Sequence, residues 1–125
     1  MLTKSEKQLM ELLWTVGEPL TYVNIIERGV DKSWKDSYIH IMIRSLLKKG
    51  VIKVAGVQLV CKNYARKFAP AMTKEEYIAK TLVLDNVWTR ERIPDVFAAF
   101  VNETNDAAVL DEFVEIINAR KAQLG

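Results

Sequence analysis

A single cysteine, Cys61, leaves no internal disulfide to form and fits a reducing cytoplasm. A single histidine, His40, stands far from it in sequence, so no ligand set has zinc-like spacing and no metal is expected. No apolar run approaches the roughly 20 residues that span a bilayer, and no signal-peptide pattern opens the sequence. No membrane insertion is therefore expected, and the expected location is cytoplasmic. Glycine-rich phosphate loops are missing, as are Ser-His-Asp and Cys-His sets for nucleophilic catalysis. The adjacent carboxylates Glu75-Glu76 and Asp111-Glu112 fall on helical patterns, where neighbours point apart. No catalytic residue and no cofactor is expected, and the chain does not read as an enzyme.

Net charge is small only until the chain is divided. Residues 1–71 carry 12 Lys/Arg against 6 Asp/Glu, a balance of +6. Residues 72–125 carry 6 against 10, a balance of −4, and the two halves return the overall +2. A basic half joined to an acidic one suggests that the first meets a polyanion and the second does something else.

Helix signals dominate the basic half. Thr3 with Glu6 forms a capping-box pattern, followed by an apolar stripe through Leu9, Leu13 and Val16, with Met10 and Trp14 beside it. Gly17 and Pro19 end that helix. Thr21 caps a shorter second helix through Val23 and Ile26, closed by Gly29. After a polar turn at 31–33, Ile39, Met42, Ile43, Leu46 and Leu47 mark the apolar face of a third helix. Lys48 and Lys49 suit the negative end of its dipole, and Gly50 is its stop. Trp14 and Trp34 are expected to anchor this core, and Trp88 the end of a fourth helix.

The period then changes. Ile52, Val54, Val57, Leu59 and Val60 are strand formers, with Gly56 marking a bulge or bend. Lys62-Asn63 is the expected turn, and a returning strand from Tyr64 to Phe68 carries Arg66 and Lys67 and ends at Pro70. Three helices and a hairpin describe a winged helix. Thr73 with Glu76 opens the fourth helix, and Pro94 separates it from a short apolar piece at 96–101. A final helix carries Val109, Leu110, Phe113, Val114, Ile116 and Ile117. Those side chains wrap too much of its surface for one small domain to cover. The segment reads as a subunit interface, with packing onto the winged helix as the alternative.

The order of these pieces resembles the penicillinase-repressor and methicillin-resistance-repressor family of bacterial regulators. SEKQLMELLW, with Glu6, Leu9, Met10, Leu13 and Trp14, is similar to the family's first helix, and YVNIIE to its second. Trp34 and IHIMIRSLLKKGVI resemble its recognition helix and exit, and FAPAMTKEEY its passage from wing to dimerisation region. The resemblance implies a homodimeric transcriptional repressor on a palindromic operator, with C-terminal helices exchanging contacts between subunits. It also implies a membrane sensor-protease system as partner, triggering cleavage at an Asn-Phe bond. That bond aligns with Ala99-Phe100, where the phenylalanine is present and the asparagine is not. The family's outer-face threonines and arginine are replaced by Tyr38, Ile41 and Ser45. The hairpin is longer than in the penicillinase repressors, and the cysteine cluster of the copper-responsive branch is missing.

The expected fold is mainly α with a small β-hairpin. An N-terminal winged helix-turn-helix at 1–71 binds double-stranded DNA, and a helical region at 72–125 dimerises. Ser37, Tyr38, Ile41 and Ser45 are the expected base contacts: hydroxyls can bond base edges, and Ile41 can meet a thymine methyl. Tyr38 packing at the helix start is the alternative for that residue. Lys35, His40, Arg44, Lys48, Arg66 and Lys67 are the expected phosphate contacts, each otherwise a solvated charge. Phe97, Phe100, Phe113, Ile116 and Ile117 are the expected dimer interface. The rival reading is a winged-helix protein-interaction module without specific DNA reading, suggested by the apolar Ile41 and the missing arginine at Ser45.

Overall fold

The computed structural model of the chain describes residues 2–29, 33–84 and 92–125. Thr3 starts helix α1 (Lys4–Val16) with a reciprocal cap: its hydroxyl accepts from the Glu6 amide, and Glu6 accepts from the Thr3 amide at 2.9 Å. Thr21 starts α2 (Tyr22–Arg28) in the same way, with Asn24 as the returning partner. A 3-10 turn (Asp36–Tyr38) leads into α3 (Ile39–Lys49). Gly50 ends α3 at φ 75°, a left-handed conformation costly for a residue with a Cβ. Gly29, also expected as a stop, has φ −72° and ends α2 in extended backbone.

The three helices close on one core. Leu9, Met10 and Leu13 of α1, Ile25 of α2, and Ile39, Met42 and Leu46 of α3 are fully buried, with Trp34 beside them. The hairpin β1 (Ile52–Val60) and β2 (Asn63–Pro70) is rooted there through Ile52 and Phe68. Leu20 and Phe68 exchange both backbone hydrogen bonds, at 2.9 and 2.7 Å, so the α1–α2 loop adds a one-residue third strand. Val54 pairs with Phe68 and Val57 with Arg66, which leaves Ala55 and Gly56 opposite Lys67 alone. That is the bulge expected at Gly56, whose φ of 129° favours glycine. The turn falls one residue earlier than expected, at Cys61-Lys62. Val60 pairs with Asn63, and Cys61 takes the positive φ, 57°, that a primed two-residue turn demands of its first central position.

Helices α4 (Lys74–Leu84), α5 (Arg92–Asn102) and α6 (Ala107–Leu124) complete the chain. Pro94, expected to precede a separate apolar piece, instead lies in the first turn of α5, where no intrahelical N–H is needed. Trp88 and residues 31 and 32 lie outside the described residues. The architecture is mainly α with one antiparallel hairpin: a winged helix followed by a helical C-terminus. No helix among the described residues is long and apolar enough to cross a membrane.

The chain divides into two compact units, Met1–Thr81 and Leu82–Gly125. Within the first unit the start of α4 is held by α1. Trp14 Nε1 donates to the Met72 carbonyl at 3.0 Å, and its ring lies 5.6 Å from that of Tyr77. Lys74 reaches Glu11 at 2.9 Å. In the second unit Phe113 of α6 meets Phe100 and Phe97 of α5, with ring centroids 5.9 and 6.4 Å away. None of its described residues is buried.

Candidate nucleic-acid interface

Burying Ile39, Met42, Ile43 and Leu46 turns the opposite side of α3 to solvent. Ile41, Arg44 and Lys48 recur there at helical spacing, all exposed, with Ile41 at 52%. Ser37 and Tyr38, in the 3-10 turn ahead of the helix, are also exposed, as is Lys35 just before them. An apolar side chain, two cations and two hydroxyl-bearing residues thus occupy one accessible stripe. Such a set can offer hydrogen bonds and a methyl contact to base edges, and positive charge to phosphates.

Ser45 does not belong to that stripe. Its hydroxyl donates to Glu6 Oε2 at 2.7 Å, while Lys49 Nζ donates to Glu6 Oε1 at 2.7 Å. Position 45, expected as a base contact, lies toward α1 on the helix circumference, where its hydroxyl ties α3 to α1. Glu6 itself is 2% exposed. Burial on its own would raise its carboxyl pKa. Hydrogen bonds from Lys49, the Thr3 amide and Ser45, with the Lys49 charge, outweigh that and lower it from 4.5 to about 2. The cluster fixes the rotation and height of α3 on the core. Glu6 sits in the stripe of Leu2, Leu9 and Leu13, and a carboxylate among buried leucines is the sequence signal for such a partner.

On the other flank of α3 a groove of about 640 Å³ opens toward the wing. His40, expected to face phosphates, packs its ring 4.8 Å from that of Tyr22 within this groove. Arg44 lines the same wall, so it belongs both to the groove and to the outer stripe. Arg66 lies across from it, its guanidinium 5.3 Å above the Phe68 ring. Lys67, the next residue, takes the opposite face of β2, as strand alternation requires. Tyr22 and Tyr64, which sequence reasoning did not select, also line the groove. Their signal was present only in the register that brings α2, α3 and β2 together.

In the second unit Phe97, Phe100, Ile116 and Ile117 are exposed and Phe113 is half-buried between Phe97 and Phe100. Ala99-Phe100 lies inside α5. Among the described residues no group of three or more His, Cys, Asp or Glu side chains is placed to hold a metal ion.

No curated protein matches the chain. The model of one family, penicillinase repressor, matches residues 2–119, which takes in the winged helix, the exposed α3 stripe and nearly all of the C-terminal helices. With that match spread over this architecture, the chain belongs to the penicillinase repressor family, a family of DNA-binding transcriptional repressors.

Proposed function

We propose that the protein is a sequence-specific repressor that binds a palindromic operator as a homodimer. Residues 1–71 would meet the DNA and residues 72–125 would join the two copies. The observation that carries this reading is the α3 stripe of Ser37, Tyr38, Ile41, Arg44 and Lys48, exposed while the opposite side of the helix is buried. Inserted in a major groove, Ser37, Tyr38 and Ile41 face base edges, and Lys35, Arg44 and Lys48 lie toward the backbone. The exposed Phe97, Phe100, Ile116 and Ile117 support dimerisation, since burying side chains of this size is worth about 1.5–3 kcal/mol each. A two-fold dimer sets its recognition helices roughly 34–36 Å apart, or a multiple of that. The family resemblance adds release by a membrane sensor-protease at Ala99-Phe100, against which the alanine in place of asparagine argues.

The test is a titration of the full chain against a duplex of its own upstream region across salt concentrations, beside the double variant Arg44→Ala/Lys48→Ala. Tight binding that resists random competitor DNA, two copies per duplex, and a salt slope lowered by about 2 in the variant are expected. Binding no tighter than to random duplex favours the protein-interaction reading, for which the exposed Ile41 also fits. Absence of binding even at low salt ends the DNA reading.

A further inference from the structure

The groove beside α3 takes its walls from α2, α3 and the hairpin, and its volume of about 640 Å³ falls in the range of small-molecule sites. Its guanidiniums are Arg44 on α3 and Arg66 on β2, and no acidic residue lines it. Tyr22, Tyr64 and Phe68 bring aromatic rings to it, and Ile43 an aliphatic surface. Several of these groups are held in advance of any ligand. The Arg66 guanidinium lies 5.3 Å from the Phe68 ring centroid, and the His40 ring stands 4.8 Å from that of Tyr22. Phe68 is itself buried and exchanges both backbone hydrogen bonds with Leu20, so this wall is anchored to the core. Side chains fixed in this way lose little freedom on binding.

Guanidiniums and flat rings lining one cleft suit one ligand chemistry. A carboxylate accepts paired hydrogen bonds from a guanidinium, and a planar aromatic body stacks on rings and on guanidinium faces. Phosphate alone would leave the ring-lined part of the groove unfilled. We propose, resting on the DNA-binding reading above, that this groove is an effector site for a small aromatic carboxylate of one or two fused rings, whose binding loosens the operator. The carboxylate pairs with Arg44 and Arg66, and the rings lie against Phe68, Ile43 and Tyr22. Arg44 also stands in the exposed α3 stripe. A bound acid therefore withdraws one cation from that stripe and sets a negative charge beside the DNA backbone, so ligand and duplex oppose each other.

The test uses naphthoate as the probe on the full chain, with naphthylmethanol as its uncharged counterpart and thermal melts to confirm that variants remain folded. Cys61, the only cysteine, lines the groove at the hairpin turn and serves as a local reporter. Naphthoate is expected to bind once per chain in calorimetry, to slow modification of Cys61 by a thiol reagent, and to weaken duplex binding about tenfold at saturation. Arg66→Gln is expected to weaken naphthoate binding about tenfold and Arg66→Lys by less. Lys67→Gln, on the opposite strand face, is expected to leave it unchanged. Naphthylmethanol should bind about tenfold more weakly than the acid. Equal affinity for acid and alcohol, or binding insensitive to Arg66→Gln with Cys61 unprotected, would put the probe on apolar surface such as the exposed Phe97 and Phe100 and overturn the site. Failure of naphthoate to bind at millimolar concentration overturns it as well. Groove binding that leaves duplex affinity unchanged overturns the effector role while the repressor reading stands. If wild type binds no duplex at low salt, the repressor reading and the effector role fall together, and calorimetry with Cys61 protection still decides the site.

Discussion

Apolar side chains are plentiful in both units, yet they end in opposite states. In the first, Leu9, Met10, Leu13, Ile25, Ile39, Met42 and Leu46 are sealed beneath the hairpin root. In the second, Phe97, Phe100, Val114, Ile116 and Ile117 remain in water. A helical stripe reports that a face must be covered, and it says nothing about what covers it. The first unit supplies its own cover, because three helices cross and β2 folds back on them. The second offers two described helices and an aromatic contact between them, which leaves Phe97 and Phe100 exposed to water.

The sharpest break of this contrast is a cavity in the first unit. Leu13→Ala or Leu46→Ala is expected to cost roughly 2–5 kcal/mol in denaturant unfolding of the full chain, and to abolish DNA binding where α3 loosens. If the second unit joins two copies as proposed, Phe113→Ala should instead act on assembly. It removes the ring that both Phe97 and Phe100 touch, twice per two-fold dimer. A loss of about 3 kcal/mol of association is expected, seen by sedimentation as dissociation to monomers, with the melt of the first unit retained. A mutant that unfolds both units together would sink the contrast.

Smaller effects probe the link between α1 and α3. Glu6→Gln is expected to destabilise by about 1–3 kcal/mol at neutral pH, since Lys49 loses a charged partner. Glu6 has a folded pKa near 2, below its ordinary value of 4.5. Its contribution is therefore present above about pH 4.5 and is lost as pH falls toward 2. The gap between wild type and Glu6→Gln should close across that window in denaturant melts taken at a series of pH values. Gly56→Ala comes last. Open space surrounds the site, so only the φ of 129° is penalised, at about 1 kcal/mol, with the wing's flexibility rather than the core as the readout.

Local signals proved legible and long-range ones did not. The caps at Thr3, Thr21 and Thr73, the stop at Gly50 and the bulge at Gly56 are each decided within a few residues by backbone chemistry. The Glu6 link to Ser45 and Lys49 joins residues 39 and 43 positions apart. Nothing in the helix pattern of α3 alone turns Ser45 inward. The same holds for Leu20, whose pairing with Phe68 depends on how the α1–α2 loop is laid against β2. Arg66 and Lys67 looked equivalent as neighbouring cations, and only the strand's alternation separates them. Pro94 looked like a boundary, yet the first turn of a helix tolerates the missing donor.

The bond between Ala99 and Phe100 carries a consequence in time. The Ala99 carbonyl accepts from the Glu103 amide at 3.2 Å, and the Phe100 carbonyl accepts from the Thr104 hydroxyl at 3.1 Å. A protease that takes its substrate as an extended strand finds none here until this end of α5 unwinds. Where cutting is slow, its rate follows the fraction of molecules open at that instant; where it is fast, it follows the opening itself. The stability of this end of α5 therefore acts as a clock on any cut at the bond, rather than as a latch.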